Sequence, residues 1–352
     1  MIVVLDTRTS TNRLLGDVLW SGSVRLNART VNRTGHSLLS VVIPSFNEEL
    51  VIRETHQRLI SALGRIPKVG IEFVYVDDGS DDTTLDILRG IQGADDRVRI
   101  VALSRNFGHQ VALTAGLEHA NGDIVAVIDA DLQDPPEAIK EMVDRWRAGA
   151  DVAYGVRSMR QGEGASKRAF SHVFYRLMNR LSEVPVPLDT GDFRLMDRRV
   201  VDALLAMPEQ SRYVRGMVAW TGFHQEPVHF ERAPRLAGGT KYSFGKMVRL
   251  ATDGILSFSV IPLRLASYLG FAASVLALAG IVYALVLRLL TDVWVTGWTL
   301  LFIAMLFLGG VQLLVLGVIG EYLGRAYGEL KRRPLYFVKE TVGFPPPGTT
   351  DG

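Results

Sequence analysis

Short apolar runs alternate with amphipathic segments between residues 38 and 155. The apolar runs predict strands at residues 38–43, 71–76, 99–103, 124–128 and 151–155. Between them, apolar positions recur with helical spacing, which predicts helices at residues 50–63, 83–91, 108–120 and 137–147. Strands that alternate with helices are typical of a mostly parallel sheet with right-handed crossovers. The pattern therefore predicts an α/β domain, to which we assign residues 38–240.

The hydrophobic pattern changes in the last third of the chain. Residues 266–287 and residues 298–320 carry no charge, and each run is long enough to cross about 30 Å of hydrocarbon as a helix. Basic residues flank the pair on both outer sides, whereas the linker between the runs contains a single arginine. The positive-inside rule then predicts a transmembrane hairpin whose outer flanks lie in the cytoplasm together with the α/β domain.

The remaining segments complete the predicted organisation. Residues 1–37 are polar and have no sustained period, which indicates a mobile extension. Residues 241–263 mix apolar positions with Lys246 and Arg249, which predicts an interfacial amphipathic helix; an amphipathic helix packed on the domain fits the same pattern. We assign the two spans to residues 264–322. Residues 323–352 are expected to form a cytoplasmic juxtamembrane helix and a disordered tail.

Composition narrows the possible chemistry. The net charge is only +2, so no overall field favours a nucleic-acid partner, and none is predicted. The chain has no cysteine, which excludes disulfides and thiolate metal sites.

Acidic residues follow three of the predicted strands. Asp129 and Asp131 follow the strand at 124–128, the pair 77–78 follows the second strand, and the segment 44–48 follows the first. In a parallel sheet these strand ends meet at one edge and can line one crevice. Taken singly, each segment could be only a turn or a helix cap. Together they favour a site for a nucleotide diphosphate bound through Mg²⁺ or Mn²⁺.

These segments resemble the inverting glycosyltransferases of family 2, which have the GT-A fold, a Rossmann-like mostly parallel sheet. The resemblance rests on Val42-Ile-Pro-Ser-Phe-Asn-Glu48, Val76-Asp-Asp-Gly-Ser80 and Ile128-Asp-Ala-Asp-Leu-Gln-Asp-Pro-Pro-Glu137. It extends to the polyprenyl-phosphate branch through Ser104-Arg-Asn-Phe-Gly108, Gly191-Asp-Phe-Arg194, Gly239-Thr-Lys-Tyr-Ser243 and the two apolar runs. That branch includes dolichyl-phosphate mannose synthases, bactoprenol glucosyltransferases and the undecaprenyl-phosphate aminoarabinose transferase.

The resemblance implies roles for individual residues. Those implied to hold the donor nucleotide are Pro44, Phe46, Glu48, Asp78 and Asp129. Those implied to coordinate the metal are Asp129, Asp131 and Gln133. Asp129, Asp131, Asp192 and Lys241 are the candidate catalytic residues, although Asp192 could equally have a structural role such as orienting Arg194.

Arg157 and Arg168 resemble the arginines that hold the lipid phosphate. Arginine suits this task because its planar fork can bond a phosphate bidentately. Arg160 and Lys167 lie in the same segment and are weaker candidates; solvated surface charges or contacts with anionic lipid are the alternatives for all four residues. His109 and His119 are interpreted as core or surface histidines, not as metal ligands.

The resemblance implies a metal-dependent inverting hexosyltransferase in the bacterial inner membrane. The expected reaction moves glucose from UDP-glucose to undecaprenyl phosphate, for glycan or lipopolysaccharide modification. Mannose, an N-acetylhexosamine and a modified arabinose remain alternative sugars. A processive polysaccharide synthase and an inactive membrane scaffold remain alternative functions. The resemblance also implies a homotetramer.

Overall fold

The computed structural model describes residues 33–64, 66–157, 190–231, 261–290 and 297–344. In these ranges eight strands form one sheet. They are β1 (Ser37–Ser45), β2 (Val69–Asp77), β3 (Val98–Leu103), β4 (Ile124–Val127), β5 (Val152–Arg157), β6 (Thr190–Asp197), β7 (Gln225–Phe230) and β8 (Val338–Val342).

Eight helices accompany the strands within the same ranges. They are α1 (Ile52–Leu63), α2 (Thr84–Gln92), α3 (His109–His119), α4 (Ala138–Ala148), α5 (Arg198–Leu205), α6 (Val214–Trp220), α7 (Ile261–Leu290) and α8 (Trp298–Leu330). Every strand and helix predicted between residues 38 and 155 is present, with ends shifted by a few residues.

The sheet has the order β7-β5-β6-β4-β1-β2-β3-β8. Its centre, β4-β1-β2-β3, is parallel. Strand β6 runs antiparallel between β4 and β5, and β8 runs antiparallel to β3 at the opposite edge. The predicted α/β class with a Rossmann-like parallel centre is confirmed.

Apolar side chains cover both faces of the sheet. Helices α1, α2 and α4 pack on one face through residues such as Leu59, Leu88 and Trp146. Helices α3, α5 and α6 pack on the other face through residues such as Leu113 and Met217. Because both faces are buried, the central strands are continuous apolar runs, and their carboxyl ends are the parts left open for chemistry.

The sheet contains strands that the hydrophobic pattern did not predict. Strand β6 occupies a segment that was singled out only for its motif, and β7, α5 and α6 were not predicted at all. Strand β6 bears on the candidate site, because it brings Asp192 beside the end of β4.

The C-terminal segment differs from the expectation. Helix α8 continues without a break to Leu330, where a separate juxtamembrane helix was expected. The chain then returns to the domain: β8, a strand that was not predicted, pairs with β3 at Val101 opposite Thr341, just before the tail that is expected to be disordered from residue 342. Residues 33–37, which were assigned to the mobile N-terminal extension, are ordered against the domain: Arg33 donates to the backbone carbonyls of Trp146 and Ala150, and β1 begins at Ser37.

Two described helices are long and apolar enough to cross a membrane. Their apolar segments are Leu265–Tyr283 in α7 and Ile303–Leu330 in α8, with 6% and 0% of their residues buried inside the protein. The helices contact each other and are joined by residues 291–297, so they form a hairpin. Large apolar side chains are exposed along both helices, which suggests that the helices associate with a membrane.

Several expectations fall outside the residues that the structure describes. They concern residues 1–32, the segment 241–260, the tail 345–352, and the candidate side chains Arg160, Lys167, Arg168 and Lys241. These remain sequence-based predictions.

Candidate active site

The predicted convergence of strand ends is confirmed by the register of the sheet. Ser45, the last residue of β1, pairs with Asp77, the last residue of β2. Val42 pairs with Val127, the last residue of β4. The segments that follow these three strands therefore leave the sheet at the same edge.

Asp78 connects the segment after β2 to the segment after β3. Its Oδ1 accepts a hydrogen bond from the backbone N–H of Phe107 at 2.7 Å, and its Oδ2 accepts one from Gly108 at 2.9 Å. The side chain is buried, and burial raises the pKa of Asp78 although these hydrogen bonds oppose the rise. In this structure, Asp78 positions the loop before α3, which sequence reasoning had not foreseen.

Gly79 lets the same two loops approach closely. Its φ is +66°, and a Cβ atom there would lie 2.3 Å from the backbone carbon of Arg105. Only glycine combines this left-handed conformation with so close an approach.

The segment after β1 is fixed by the segment after β2. Asn47 has a φ of 55°, its backbone N–H donates to Ser80 Oγ, and its Oδ1 accepts from the N–H of Asp81. The N–H of Glu48 donates to Thr84 Oγ1 at 2.9 Å. Pro44 is buried, while Phe46 and Glu48 are half-buried at this edge. Two predicted nucleotide-binding residues, Phe46 and Glu48, therefore lie on a loop that is held by hydrogen bonds, and Pro44 lies at the end of the strand before it.

The Asp129–Gln133 turn has a strained backbone. Leu132 has a φ of 55°, which is unfavourable for a residue with a branched side chain. Asp131 Oδ1 accepts from the N–H of Gln133 at 3.1 Å, and Thr55 Oγ1 donates to the carbonyl of Ala130 at 2.6 Å. These contacts hold Asp129 and Asp131 at the end of β4.

Asp129 has an unsatisfied carboxylate oxygen. Its side chain is 36% exposed, but its Oδ1 is inaccessible to solvent and has no hydrogen-bond partner in the described part of the chain. His109 Nε2 lies 3.6 Å from this oxygen. Burial raises the pKa of Asp129, and the positive charges of His109 and Arg215 oppose the rise.

Asp192 lies beside Asp129 and is held by three side chains. Its Oδ1 accepts from Arg215 Nε at 2.8 Å. Its Oδ2 contacts Arg215 Nη2 at 3.2 Å, Gln110 Nε2 at 2.9 Å and His109 Nε2 at 3.2 Å. His109 Nε2 is therefore within 3.6 Å of both Asp129 and Asp192.

These contacts set the charge of the group. Burial favours the neutral form of Asp192, but the hydrogen bonds from His109 and Arg215 outweigh it and hold the pKa of Asp192 far below its ordinary value. Burial alone would lower the pKa of His109, but Asp192 and Asp129 outweigh it and raise that pKa. Asp192 is therefore an ionised carboxylate whose charge is balanced by its neighbours.

Arg194 does not pair with the Asp192 carboxylate. Its guanidinium donates to the backbone carbonyls of Gly191 and Asp192, at 3.0 and 3.3 Å. Burial lowers the pKa of Arg194 to about 10. The expected structural role of Asp192 was to orient Arg194. Only the backbone carbonyl of Asp192 contacts Arg194. The Asp192 side chain contacts His109, Gln110 and Arg215 instead.

Arg157, a predicted phosphate-binding residue, lies at the same edge. Its Nη2 is 3.6 Å from Asp134 Oδ1, in the turn that follows the paired aspartates. A Cβ atom at Gly191 would lie 3.0 Å from the same nitrogen. The guanidinium therefore lies between that turn and the start of β6, and its Nε has no hydrogen-bond partner among the described residues.

The arrangement suits a metal ion that takes few ligands from the protein and the others from a bound phosphate group and water. Among the described residues, no three His, Cys, Asp or Glu side chains converge as a ready ligand set. Mg²⁺ commonly takes one or two carboxylates and completes its shell with phosphates and water. The unsatisfied oxygen of Asp129 beside Asp131 fits this mode, and Gln133 is buried next to them.

Sequence reasoning missed His109, Gln110 and Arg215. His109 was interpreted as a core or surface histidine, but it contacts both Asp129 and Asp192. Gln110 and Arg215 lie 82 and 23 residues from Asp192 along the chain, so no local motif links them to it.

Comparisons with known proteins agree on one family. Residues 40–205 match the family described as Glycosyl transferase family 2. The chain is 48% identical to the uncharacterized glycosyltransferase YkcC of Bacillus subtilis, in an alignment that covers 88% of this chain and 95% of YkcC. It is 40% identical to the SfII prophage-derived bactoprenol glucosyl transferase of Shigella flexneri, covering 86% and 98%.

The similarity to a solved structure is more distant. The mannosyltransferase PcManGT from Pyrobaculum calidifontis, in complex with GDP-Man and Mn²⁺, is 17% identical, with 83% of this chain and 88% of that chain covered and a TM-score of 0.44. The family assignment therefore rests on the sequence relatives.

Proposed function

The chain belongs to glycosyl transferase family 2, and on that premise we propose that it transfers glucose from UDP-glucose to a polyprenyl phosphate at a membrane surface. The observation that carries the proposal is the near full-length likeness to a protein named bactoprenol glucosyl transferase. The two exposed apolar helices support a lipid-borne acceptor, because they bring the α/β domain to a bilayer.

The donor would bind at the carboxyl edge of the sheet. Pro44, at the end of β1, and Phe46 and Glu48, on the loop that follows it, would contact the nucleoside, and Asp78 holds a neighbouring loop in place. Asp129 and Asp131, with Gln133, would hold a divalent cation against the diphosphate. Such a cation, when bound, neutralises charge that develops on the leaving nucleotide diphosphate.

The acceptor needs no strong general base, because a phosphate monoester is already an anion. Its oxygen attacks the anomeric carbon while the bond from that carbon to the nucleotide diphosphate breaks. A single displacement inverts the anomeric configuration, so an α-linked donor gives a β-linked product. The demands on the protein are therefore positioning and charge stabilisation.

Two groups of side chains meet these demands. Arg157 lies beside the metal-binding turn and would bind the acceptor phosphate, with Arg168 and Lys241 as further predicted contacts. Asp192 is ionised and shares a histidine neighbour with Asp129, so it would lie near the sugar and hold His109 and Arg215 in position beside the metal-binding aspartates.

The hairpin indicates how the site faces the membrane. Helix α8 ends at Leu330 and the chain rejoins the sheet at β8, so the domain lies at the end of the hairpin opposite the 291–297 linker. With basic residues on that side, we place the domain on the cytoplasmic face of a bacterial membrane. A homotetramer, implied by the resemblance, is part of this proposal.

The test is transfer of a labelled sugar by the full chain in detergent. UDP-glucose, UDP-N-acetylglucosamine and GDP-mannose are supplied separately with Mg²⁺ or Mn²⁺ and a short polyprenyl phosphate, and neutral polyprenol is the control acceptor. We expect one labelled glucose per lipid and no label on the neutral lipid. Long polymeric products would favour a processive synthase, and unlabelled lipid with every donor would contradict the proposal.

A further inference from the structure

The last turn of α8 contacts the α/β domain through Glu329. Its Oε1 accepts hydrogen bonds from the backbone N–H groups of Gln210 and Ser211, at 3.0 and 3.1 Å, and its Oε2 lies 2.9 Å from the Gln210 nitrogen. Hydrogen bonds to a carboxylate are shorter and stronger than those between neutral groups. A helix that is otherwise exposed thus ends on one short loop of the domain.

The loop that contains Gln210 and Ser211 leads directly into α6. Its C-terminal end is held by Gln110, a side chain of the candidate active site. Arg212 donates to the carbonyls of Leu204 and Met207, at 3.1 and 2.7 Å. The N–H of Val214, the first residue of α6, donates to Gln110 Oε1 at 3.0 Å. Residues 210–215 therefore link α8 to the side chains around Asp192.

The two side chains at the end of this link both bind Asp192. Gln110 uses its Oε1 for Val214 and its Nε2 for Asp192. Arg215, one residue farther along, donates twice to the same carboxylate. Asp192 is 5% exposed, so its position depends on these donors and not on water.

We propose that Glu329 is a positioning residue for the transfer reaction. By fixing residues 210–211 it sets the start of α6, and through Gln110 and Arg215 it sets the direction of the Asp192 carboxylate. The placement of the membrane hairpin and the geometry of the active site are thereby coupled. This inference rests on the proposed function only in assigning Asp192 to the reacting centre.

The chain offers a matched control on the same helix. Glu321 lies two turns earlier, is 52% exposed, and pairs with Arg325 at 3.1 Å within α8. Glu321→Gln removes the same charge without touching the loop at 210–211. Glu329→Gln keeps an oxygen that can accept from both loop N–H groups, whereas Glu329→Ala removes every acceptor.

The first readout is hydrogen exchange of the full chain in detergent, without substrate. Glu329→Ala is expected to speed exchange not only at residues 210–215 but also in the peptides that contain Gln110 and Asp192. Glu329→Gln should change them less, and Glu321→Gln should leave them as in the parent. Faster exchange confined to residues 210–211 would overturn the proposal, whether or not any sugar is transferred.

The second readout separates kcat from KM. Because a small displacement of a catalytic group is costly, Glu329→Ala should lower kcat about tenfold with little change in KM for the nucleotide sugar. Glu329→Gln should recover part of this loss. In an Arg215→Ala background, Glu329→Ala should add almost nothing, since both changes act through the same carboxylate.

Failure of the proposed Glu329 coupling can be distinguished from failure of the proposed transfer activity. An active parent whose kcat is unaffected by Glu329→Ala, or a double variant with fully additive losses, would overturn the coupling. A parent that transfers no sugar would contradict the proposed function, while the exchange measurement would still decide the coupling.

Discussion

Arg215 and Asp192 form a two-point ion pair, with Arg215 Nε 2.8 Å from Asp192 Oδ1 and Arg215 Nη2 3.2 Å from Asp192 Oδ2. The pair joins helix α6 to strand β6; Asp192 is buried and Arg215 is half-buried. A carboxylate bound in this way keeps its charge and its direction at the same time. The pair therefore explains how an acidic side chain can be both buried and ionised beside Asp129.

Arg215→Gln should impair catalysis more than binding. Glutamine cannot make the two-point contact, so Asp192 loses charge balance and direction. We expect kcat to fall on the order of a hundredfold with a small change in KM for the nucleotide sugar. Arg145→Gln is the control, because Arg145 is 46% exposed and pairs with Glu141 on its own helix. Equal kinetics for the two variants would contradict the role of Arg215.

Asp131→Asn tests the metal assignment. An amide keeps the shape of the side chain but removes the charge that attracts a divalent cation. We expect turnover to be lost and metal-dependent nucleotide binding, measured by titration calorimetry, to weaken by about tenfold or more. Asp144→Asn on α4, where the side chain is 72% exposed, should bind as the parent does. Unchanged transfer by Asp131→Asn would show that the assigned metal role is wrong.

The contrast between Asp131 and Arg215 shows what the sequence could reveal. Asp129, Asp131 and Asp78 follow apolar strands, so their position at the site edge could be predicted from strand order alone. Arg215 follows no such rule. It reaches Asp192 because β6 inserts between β4 and β5, a pairing over long sequence distance that local patterns do not encode.

Strand β8 was missed for a related reason. Val338-Lys-Glu-Thr-Val342 is a short edge strand with charged residues, and edge strands often carry such residues, which makes them resemble loops in sequence. The central strands are buried on both faces and consist mainly of apolar residues, so they were recognised from the sequence.

Gly79→Ala should destabilise the loops that support the nucleotide site. The left-handed conformation alone costs a substituted residue about 1 kcal/mol or more, and the added methyl would meet the backbone of Arg105. We expect a lower Tm and weaker nucleotide binding. Gly90→Ala is the control, since Gly90 lies in α2 and a Cβ atom there would have nothing within 4 Å; the Tm of that variant should stay or rise. A Tm equal to that of the parent in Gly79→Ala would contradict this reading of the loop contact.

Stability should fall at acidic pH partly through Asp197. Burial alone would raise its pKa, but hydrogen bonds from Arg199 and Trp146 outweigh it, so the folded pKa is lower than the unfolded one. A depressed folded pKa stabilises the protein above the unfolded value, about 3.9, and this contribution is lost as pH falls toward the folded pKa.

The measurement is Tm from about pH 7 to about pH 3. Asp197→Asn should lower Tm at neutral pH and flatten its fall at acidic pH, because the asparagine cannot titrate. Asp144→Asn, at an exposed position, should keep the slope of the parent. Equal slopes for the parent and Asp197→Asn would rule out this contribution.

The return of the chain to the sheet after α8 should matter for the stability of the domain. Strand β8 pairs with β3, and Ser104 N–H donates to the carbonyl of Phe337, so removal of this segment leaves the backbone of β3 unpaired at one edge. Tyr336 and Phe344 also pack against the buried cluster that includes α3.

A chain that ends at Arg333 should therefore have a lower Tm and a greater tendency to aggregate through the exposed edge. Glu340→Ala keeps the backbone pairing and removes only the solvent-exposed ion pair with Arg89, so it should change the Tm little. If the truncated chain melted with the parent, β8 would not stabilise the domain, and the domain would be complete without the segment that follows the membrane hairpin.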